Sequence, residues 1–182
     1  MKKNNIILEN DYHTVKEDGN YIIKEFKVDI GHLDEEWSIL YTGFNEDYPD
    51  ISLKLIDFIP KKKIVMKKVE GMDVQEHVAE ARVNNDVRKI KKLLHISRIV
   101  LNAFSTYSLR LGPDQFLYHK DLNCTNVIVE DLDSFKFKII DIDSISFNYD
   151  DQIMRQPTLD SRIADYYYIQ RMHNARKLTL WK

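Results

Sequence analysis

One cysteine, Cys124, stands in a chain of 182 residues. A disulfide framework and a cysteine-built zinc site are thereby excluded. A lone thiol fits a reducing compartment, and the expected location is cytoplasmic. Glycine is scarce at 5 and proline at 4. Glycine gives backbone N–H groups close access to phosphates, so little of it leaves little room for a glycine-rich phosphate loop. Charge of one sign is lacking too. Lys and Arg total 27 against 29 Asp and Glu, a net of −2. No bulk field draws such a chain to nucleic acid or to an anionic membrane. No apolar run approaches the roughly 20 residues of a membrane span. The start, Met1-Lys2-Lys3-Asn4-Asn5-Ile6-Ile7-Leu8-Glu9, has an apolar run too short for a signal peptide. The histidines never fall three or four residues apart, so they offer no helical metal-ligand pair.

What is present is globular: 43% apolar and 31% charged residues. A chain of this size buries roughly 70% of its unfolded surface, enough for one domain or two small parts. Strand-like runs crowd the first 70 residues: Ile6–Leu8, Thr14–Glu17, Tyr21–Phe26, Ile51–Ile56 and Lys63–Met66. Asp18-Gly19-Asn20 reads as a hairpin turn between the second and third. Leu33, Trp37, Leu40, Tyr41 and Phe44 share one helical face, which predicts a helix over 33–44 that Pro49 ends. Glu70-Gly71 breaks the pattern and divides the chain into 1–71 and 72–182. The second part opens helically. Asn85 is the expected cap of a long helix through Val87, Ile90, Leu94, Leu101 and Phe104, stopped at Gly112-Pro113. A polar loop (His119 to Asn126), strands at 127–129 and 137–140, and a last helix over 159–177 complete an α+β order.

The chemistry concentrates in Tyr118-His119-Lys120-Asp121-Leu122-Asn123-Cys124-Thr125-Asn126, a short hairpin, and Lys138-Ile139-Ile140-Asp141-Ile142-Asp143. The pattern is H-x-D-L-x-x-x-N, then an apolar strand ending in an acid. Asn126 and Asp141 offer an amide oxygen and a carboxylate, hard donors of the kind magnesium takes. Asp121 adds a further carboxylate to the same loop. This order resembles the protein-kinase-like superfamily in a minimal form. The Asp141-Ile142-Asp143 ending is closest in style to aminoglycoside and choline phosphotransferases and to lipopolysaccharide-sugar kinases.

The resemblance implies a bilobal fold: an antiparallel β N-lobe with one helix (1–71) and a truncated, mainly helical C-lobe (72–182). It implies ATP and Mg2+, with Asp121 catalytic, Asn126 and Asp141 on the metal, and Asp143 assisting them. It needs a strand lysine for the phosphates and a helix acid to brace it. Lys24 is the expected lysine and Glu36 its expected partner. The segment Ile64–Gly71 resembles the strand and hinge that read adenine through backbone near Lys67 and Val69, with Met66 lining the back. Two departures stand out. Asn10-Asp11-Tyr12-His13 occupies the place of the phosphate-covering loop without a glycine, and Asn123 replaces the lysine many protein kinases carry. The implied function is transfer of the γ-phosphoryl of ATP to a hydroxyl of a small molecule, a glycoconjugate sugar or a protein Ser/Thr. The alternative is a pseudokinase-like module that binds a protein partner with weak or no transfer.

Overall fold

A tight turn and period-two alternation build the first sheet. Strands β2 (His13–Asp18) and β3 (Tyr21–Phe26) pair antiparallel with Asp18 opposite Tyr21. The two-residue loop between them starts at Gly19, whose φ of 60° an L side chain resists. With β1 (Asn5–Glu9), β4 (Leu55–Ile59) and β5 (Lys63–Lys67) these strands form a five-stranded antiparallel sheet ordered β1-β2-β3-β5-β4. The computed structural model describes residues 5–111, 115–148 and 158–164.

Helix α1 (Glu35–Asp47) starts where Asp34 Oδ1 accepts the Trp37 N–H at 2.8 Å. Such a side-chain cap is typically worth ~1 kcal/mol. Leu33, Trp37, Tyr41 and Phe44 face inward and are buried. Trp37 stacks on Tyr41 at 5.1 Å and meets Phe58 of β4 at 5.4 Å. Phe44 meets Phe104 and Tyr107, so one face of α1 reaches both the sheet and the long helix beyond it. Each such ring pair adds ~0.5–1.5 kcal/mol beyond area burial.

The strand expected over 51–56 is corrected. Ile51, Ser52 and Leu53 leave the sheet, and β4 begins at Leu55. Ser52 instead bridges Ile139 in parallel, and the Ile139 N–H donates to Ile51 O at 2.8 Å. All three residues are buried in that seam, which explains an apolar run that is not sheet.

The chain then forms β6 (Met72–Asp73), α2 (Val74–Val83), α3 (Val87–Ser108), β7 (Gln115–His119), β8 (Val127–Asp131), β9 (Lys136–Ile139) and β10 (Ile145–Asn148). Asp73 and Glu76 close a capping box on α2. The cap of α3 is Asp86, which accepts the Lys89 N–H at 2.9 Å, and not the expected Asn85. Asn85 lies in the left-handed region at φ 51° and turns the chain between the helices. Strands β6, β8 and β9 make one small sheet, and β7 and β10 another. Residues 159–164 are helical, with Leu159 and Ile163 fully buried. The Gly112-Pro113 stop and the rest of the expected 159–177 helix lie outside the described residues. Among the described residues no helix is long and apolar enough to cross a membrane.

Gly71 holds the entry to β6. Its φ is 150°, and an added Cβ would lie 2.4 Å from Val129 O. The neighbour is backbone in the β6–β8 pair and cannot swing away. Gly71→Ala is expected to destabilise the protein by about 1–3 kcal/mol. Urea unfolding measures it, and an unchanged midpoint would rule out this close approach.

Candidate functional site

Two strand pairs bracket the 119–126 loop. His119 stands opposite Ile145 in the β7–β10 pair, and the Lys120 N–H donates to Ser144 O at 2.8 Å. On the other side β8 and β9 form a hairpin, and the Ile140 N–H donates to Asn126 O at 2.9 Å. These bonds bring the loop and the Asp141–Asp143 turn together.

Hydrogen bonds within the loop hold most of its polar side chains in place. His119 Nδ1 accepts the Asp121 N–H at 3.2 Å, so its Nε2 is the nitrogen that donates to Ile140 O at 3.0 Å. Burial holds its pKa below the usual histidine value. His119 is thus a neutral brace with both nitrogens engaged. Asn123 Oδ1 accepts the N–H groups of Thr125 and Asn126, which winds residues 124–126 into one 3₁₀ turn. Asn123 Nδ2 donates to Asp121 Oδ2 at 3.0 Å, which orients that exposed carboxylate. Asn126 Nδ2 donates to Asp121 O at 2.8 Å. Its Oδ1 therefore has no hydrogen-bond partner among the described residues.

Asp141 lies in the left-handed region at φ 59°. For an L residue this costs of order 1–2 kcal/mol. The turn is held by the Ser144 N–H on Asp141 O at 2.9 Å and the Ser144 hydroxyl on Asp141 Oδ2 at 2.7 Å. The result aims Asp141 Oδ1 at Lys24, whose Nζ donates to it at 2.7 Å. The same ammonium meets both Asp143 oxygens, at 2.8 and 2.7 Å. Lys24 is buried, with 6% of its surface exposed.

The electrostatics follow. Burial alone would lower the Lys24 pKa, but the Asp143 and Asp141 charges outweigh it and hold it above the usual value. Asp143 is pushed up to about 6, first by burial and then by the charge of Asp141. Burial also acts to raise Asp141, yet the Lys24 charge and hydrogen bond, with the Ser144 hydroxyl, keep it below the usual carboxylate range. His32 Nε2 lies 2.7 Å from Asp143 O and anchors the turn from the α1 side.

A cleft of about 340 Å³ opens beside this cluster, within the size range of small-molecule sites. Lys24, Asp141 and Asn126 line its polar end. Leu53, Met66, Ile22, Val15 and Ile128 make its apolar walls. Lys67 and Val69 line it as well. The Lys68 N–H is taken by Asn20 O at 2.8 Å, whereas the Val69 N–H has no partner among the described residues. Asp121 stands beside Asn126 and does not line the cleft.

Glu36 does not meet Lys24. Its carboxylate accepts from Gln115 Nε2 at 3.3 Å, in a separate depression with Asp34 and Gly31. Trp37, Tyr41 and Phe44 turn the aromatic face of α1 inward, and one step of about 100° takes Glu36 off that face. The expected Lys24–Glu36 pair is thus replaced by Lys24–Asp141 and Lys24–Asp143. Ser144 and His32, which shape the acid turn, were not legible in the sequence. Neither belongs to a short motif, and only the fold brings His32 to residue 143.

The donors also bear on a cation. Among the described residues no three His, Cys, Asp or Glu side chains gather as a metal site. The available set is the two carboxylates of Asp141 and Asp143 with Asn126 Oδ1. Two carboxylates already converge on one positive charge, and all three groups are hard oxygen donors, so the set fits magnesium.

No protein-family model matches this chain, and no curated protein sequence does. Among solved structures the chain is similar to a crystal structure of Rad53 1–466 in complex with AMP-PNP, with 20% sequence identity and a TM-score of 0.48. The match covers 75% of this chain, which spans 36% of the length of that structure. This is a likeness of chain path at a coarse level.

Proposed function

We propose that the chain is a minimal protein-kinase-like phosphotransferase that uses Mg-ATP and passes the γ-phosphoryl to a hydroxyl acceptor. The observation that carries this reading is that Lys24, Asn126 and Asp141, from separate parts of the chain, meet at the polar end of an apolar cleft, with Asp143 on the same Lys24 ammonium. On this reading the five-stranded sheet and α1 form one lobe, and residues from 72 onward form the other. Met66 and Ile128 would line the adenine site, and the Val69 N–H would donate a hydrogen bond to the base. Asn126 Oδ1, Asp141 and Asp143 would hold magnesium, which when bound would neutralise phosphate charge. Lys24 would share its ammonium between the carboxylates and the phosphate oxygens.

Asp121 orients the acceptor hydroxyl beside Asn126. The acceptor oxygen bonds to the γ-phosphorus as the β–γ bridging bond breaks. ADP leaves, and the hydroxyl proton passes to Asp121. In a loose transition state this residue acts chiefly by positioning.

A second reading, a partner-binding module without transfer, is favoured by one observation. Lys24 is fully engaged by two carboxylates, and no acid of α1 is placed to share it.

Thermal shift with Mg-ATP tests the first reading. A ligand at 100 times Kd stabilises by ~2.7 kcal/mol, roughly 5–11 °C in a chain of this size. No shift at millimolar nucleotide would remove the nucleotide reading. A shift without phosphoryl transfer on any acceptor class would favour the second.

A further inference from the structure

We propose that His13 holds the nucleotide phosphates from the sheet side, supplying through its imidazole what a glycine-rich loop supplies through backbone N–H groups. The inference rests on the nucleotide reading of the cleft.

The β1–β2 turn is closed on itself. Asn10 Oδ1 accepts the N–H groups of Tyr12 and His13, both at 2.8 Å. The Asn10 N–H donates to His13 O at 3.1 Å, and Tyr12 O accepts the Lys27 N–H at 2.8 Å. The N–H groups of residues 10, 12 and 13 are therefore already engaged. A phosphate cradle needs successive N–H groups that point outward, and this turn does not offer them. The exposed Asp11 in the same turn would add like-charge repulsion.

The side chain of His13 is placed differently. It begins β2, and by strand alternation it shares a face with Val15 and Glu17. All three line the cleft together with Lys24 and Asp141. The register sets Val15 opposite Lys24 and His13 opposite Phe26. The imidazole meets the Phe26 ring edge-on, at 6.4 Å and 68°. Lys24 Nζ lies 5.7 Å from the centroid of that same ring. Imidazole and ammonium thus share one aromatic neighbour at the polar end of the cleft. Neither ring nitrogen of His13 has a hydrogen-bond partner among the described residues. A neutral imidazole still carries one N–H donor, enough for a charge-assisted bond to a phosphate oxygen.

A histidine that only packs on Phe26 would be replaced without loss by a phenyl ring. The test is calorimetric titration of Mg-ATP, adenosine and inorganic tripolyphosphate into wild type, His13→Phe and His13→Gln. In wild type, ATP is expected to bind more tightly than adenosine. His13→Phe is expected to lose about tenfold on ATP and on tripolyphosphate while its adenosine affinity stays unchanged. His13→Gln restores an N–H donor and is expected to recover part of the loss. Unchanged ATP affinity in His13→Phe, or equal losses on ATP and adenosine, would overturn the role of His13 and leave the nucleotide site standing. If wild type binds none of the three probes, the nucleotide reading fails, and the role of His13 fails with it.

Discussion

Asp121→Ala is expected to lower phosphoryl transfer by roughly 10²–10⁴-fold while Mg-ATP binding stays intact. The separation comes from the geometry. The Asp121 carboxylate is exposed and does not line the cleft. Its side-chain contacts are Asn123 Nδ2 at 3.0 Å and a long 3.5 Å approach from Asn126 Nδ2. Asn126 keeps its shorter bond to the Asp121 backbone oxygen whatever side chain stands at 121. The loop should therefore hold its shape in the variant, and the thermal midpoint should move little. Transfer of radiolabel from γ-labelled ATP to water, to the protein itself and to cell extract provides the rate. Thermal shift with Mg-ATP provides the binding. Equal label from wild type and Asp121→Ala would remove Asp121 from the chemistry. Parallel loss of binding and transfer would make it a structural residue.

Lys24→Met is expected to unfold the protein more readily and to make its stability depend on magnesium. Among the described residues the Lys24 ammonium is the one positive charge in contact with both carboxylates, Asp141 half-buried and Asp143 13% exposed. Removing one member of such a cluster leaves the others uncompensated, which typically costs about 3–5 kcal/mol. In a chain of this length that is a fall of roughly 6–20 °C in midpoint. Methionine keeps most of the stem volume, so the loss reports charge rather than a cavity. Millimolar Mg2+ should recover part of the fall, because a divalent cation can take the place of the ammonium between Asp141 and Asp143. Scanning calorimetry with and without Mg2+ decides it. A midpoint within 2 °C of wild type, a margin below the roughly 2–4 °C expected for one kcal/mol, would show that the cluster is not the anchor described here. A large fall that magnesium does not touch would argue against a metal at this position.

Part of the candidate site's geometry was legible in contiguous sequence. Residues 119–126, the hairpin and the acids at 141 and 143 carry their own spacing, and the β8–β9 pairing with the Ile140 N–H on Asn126 O sets their relation. Lys24 was legible as a strand lysine after a good turn, because alternation assigns faces within a strand. Its partner was not. Asp141 and Asp143 lie more than a hundred positions away, and no local pattern couples them to β3. Glu36 is plausible by helix register, yet the rotation of α1 is set by which aromatic rings pack, and that depends on β4 and α3.

The scarcity of glycine was visible from composition alone, and the gap at residues 10–13 with it. By itself the sequence determined the local elements: the Gly19 turn, the amphipathic face of α1, the 119–126 loop and the order of its polar groups. These follow from steric limits and periodicity over a few residues, which act before any tertiary contact forms. The tertiary structure alone decided which charges meet. It moved residues 51–53 from the sheet into a seam with Ile139 and paired β7 with β10. It gave Lys24 to the two aspartates rather than to Glu36, and it turned the N–H groups of the β1–β2 turn inward while leaving the His13 imidazole facing the cleft. Those outcomes depend on how whole elements pack, and side-chain packing in a dense core admits few arrangements that sequence spacing can anticipate.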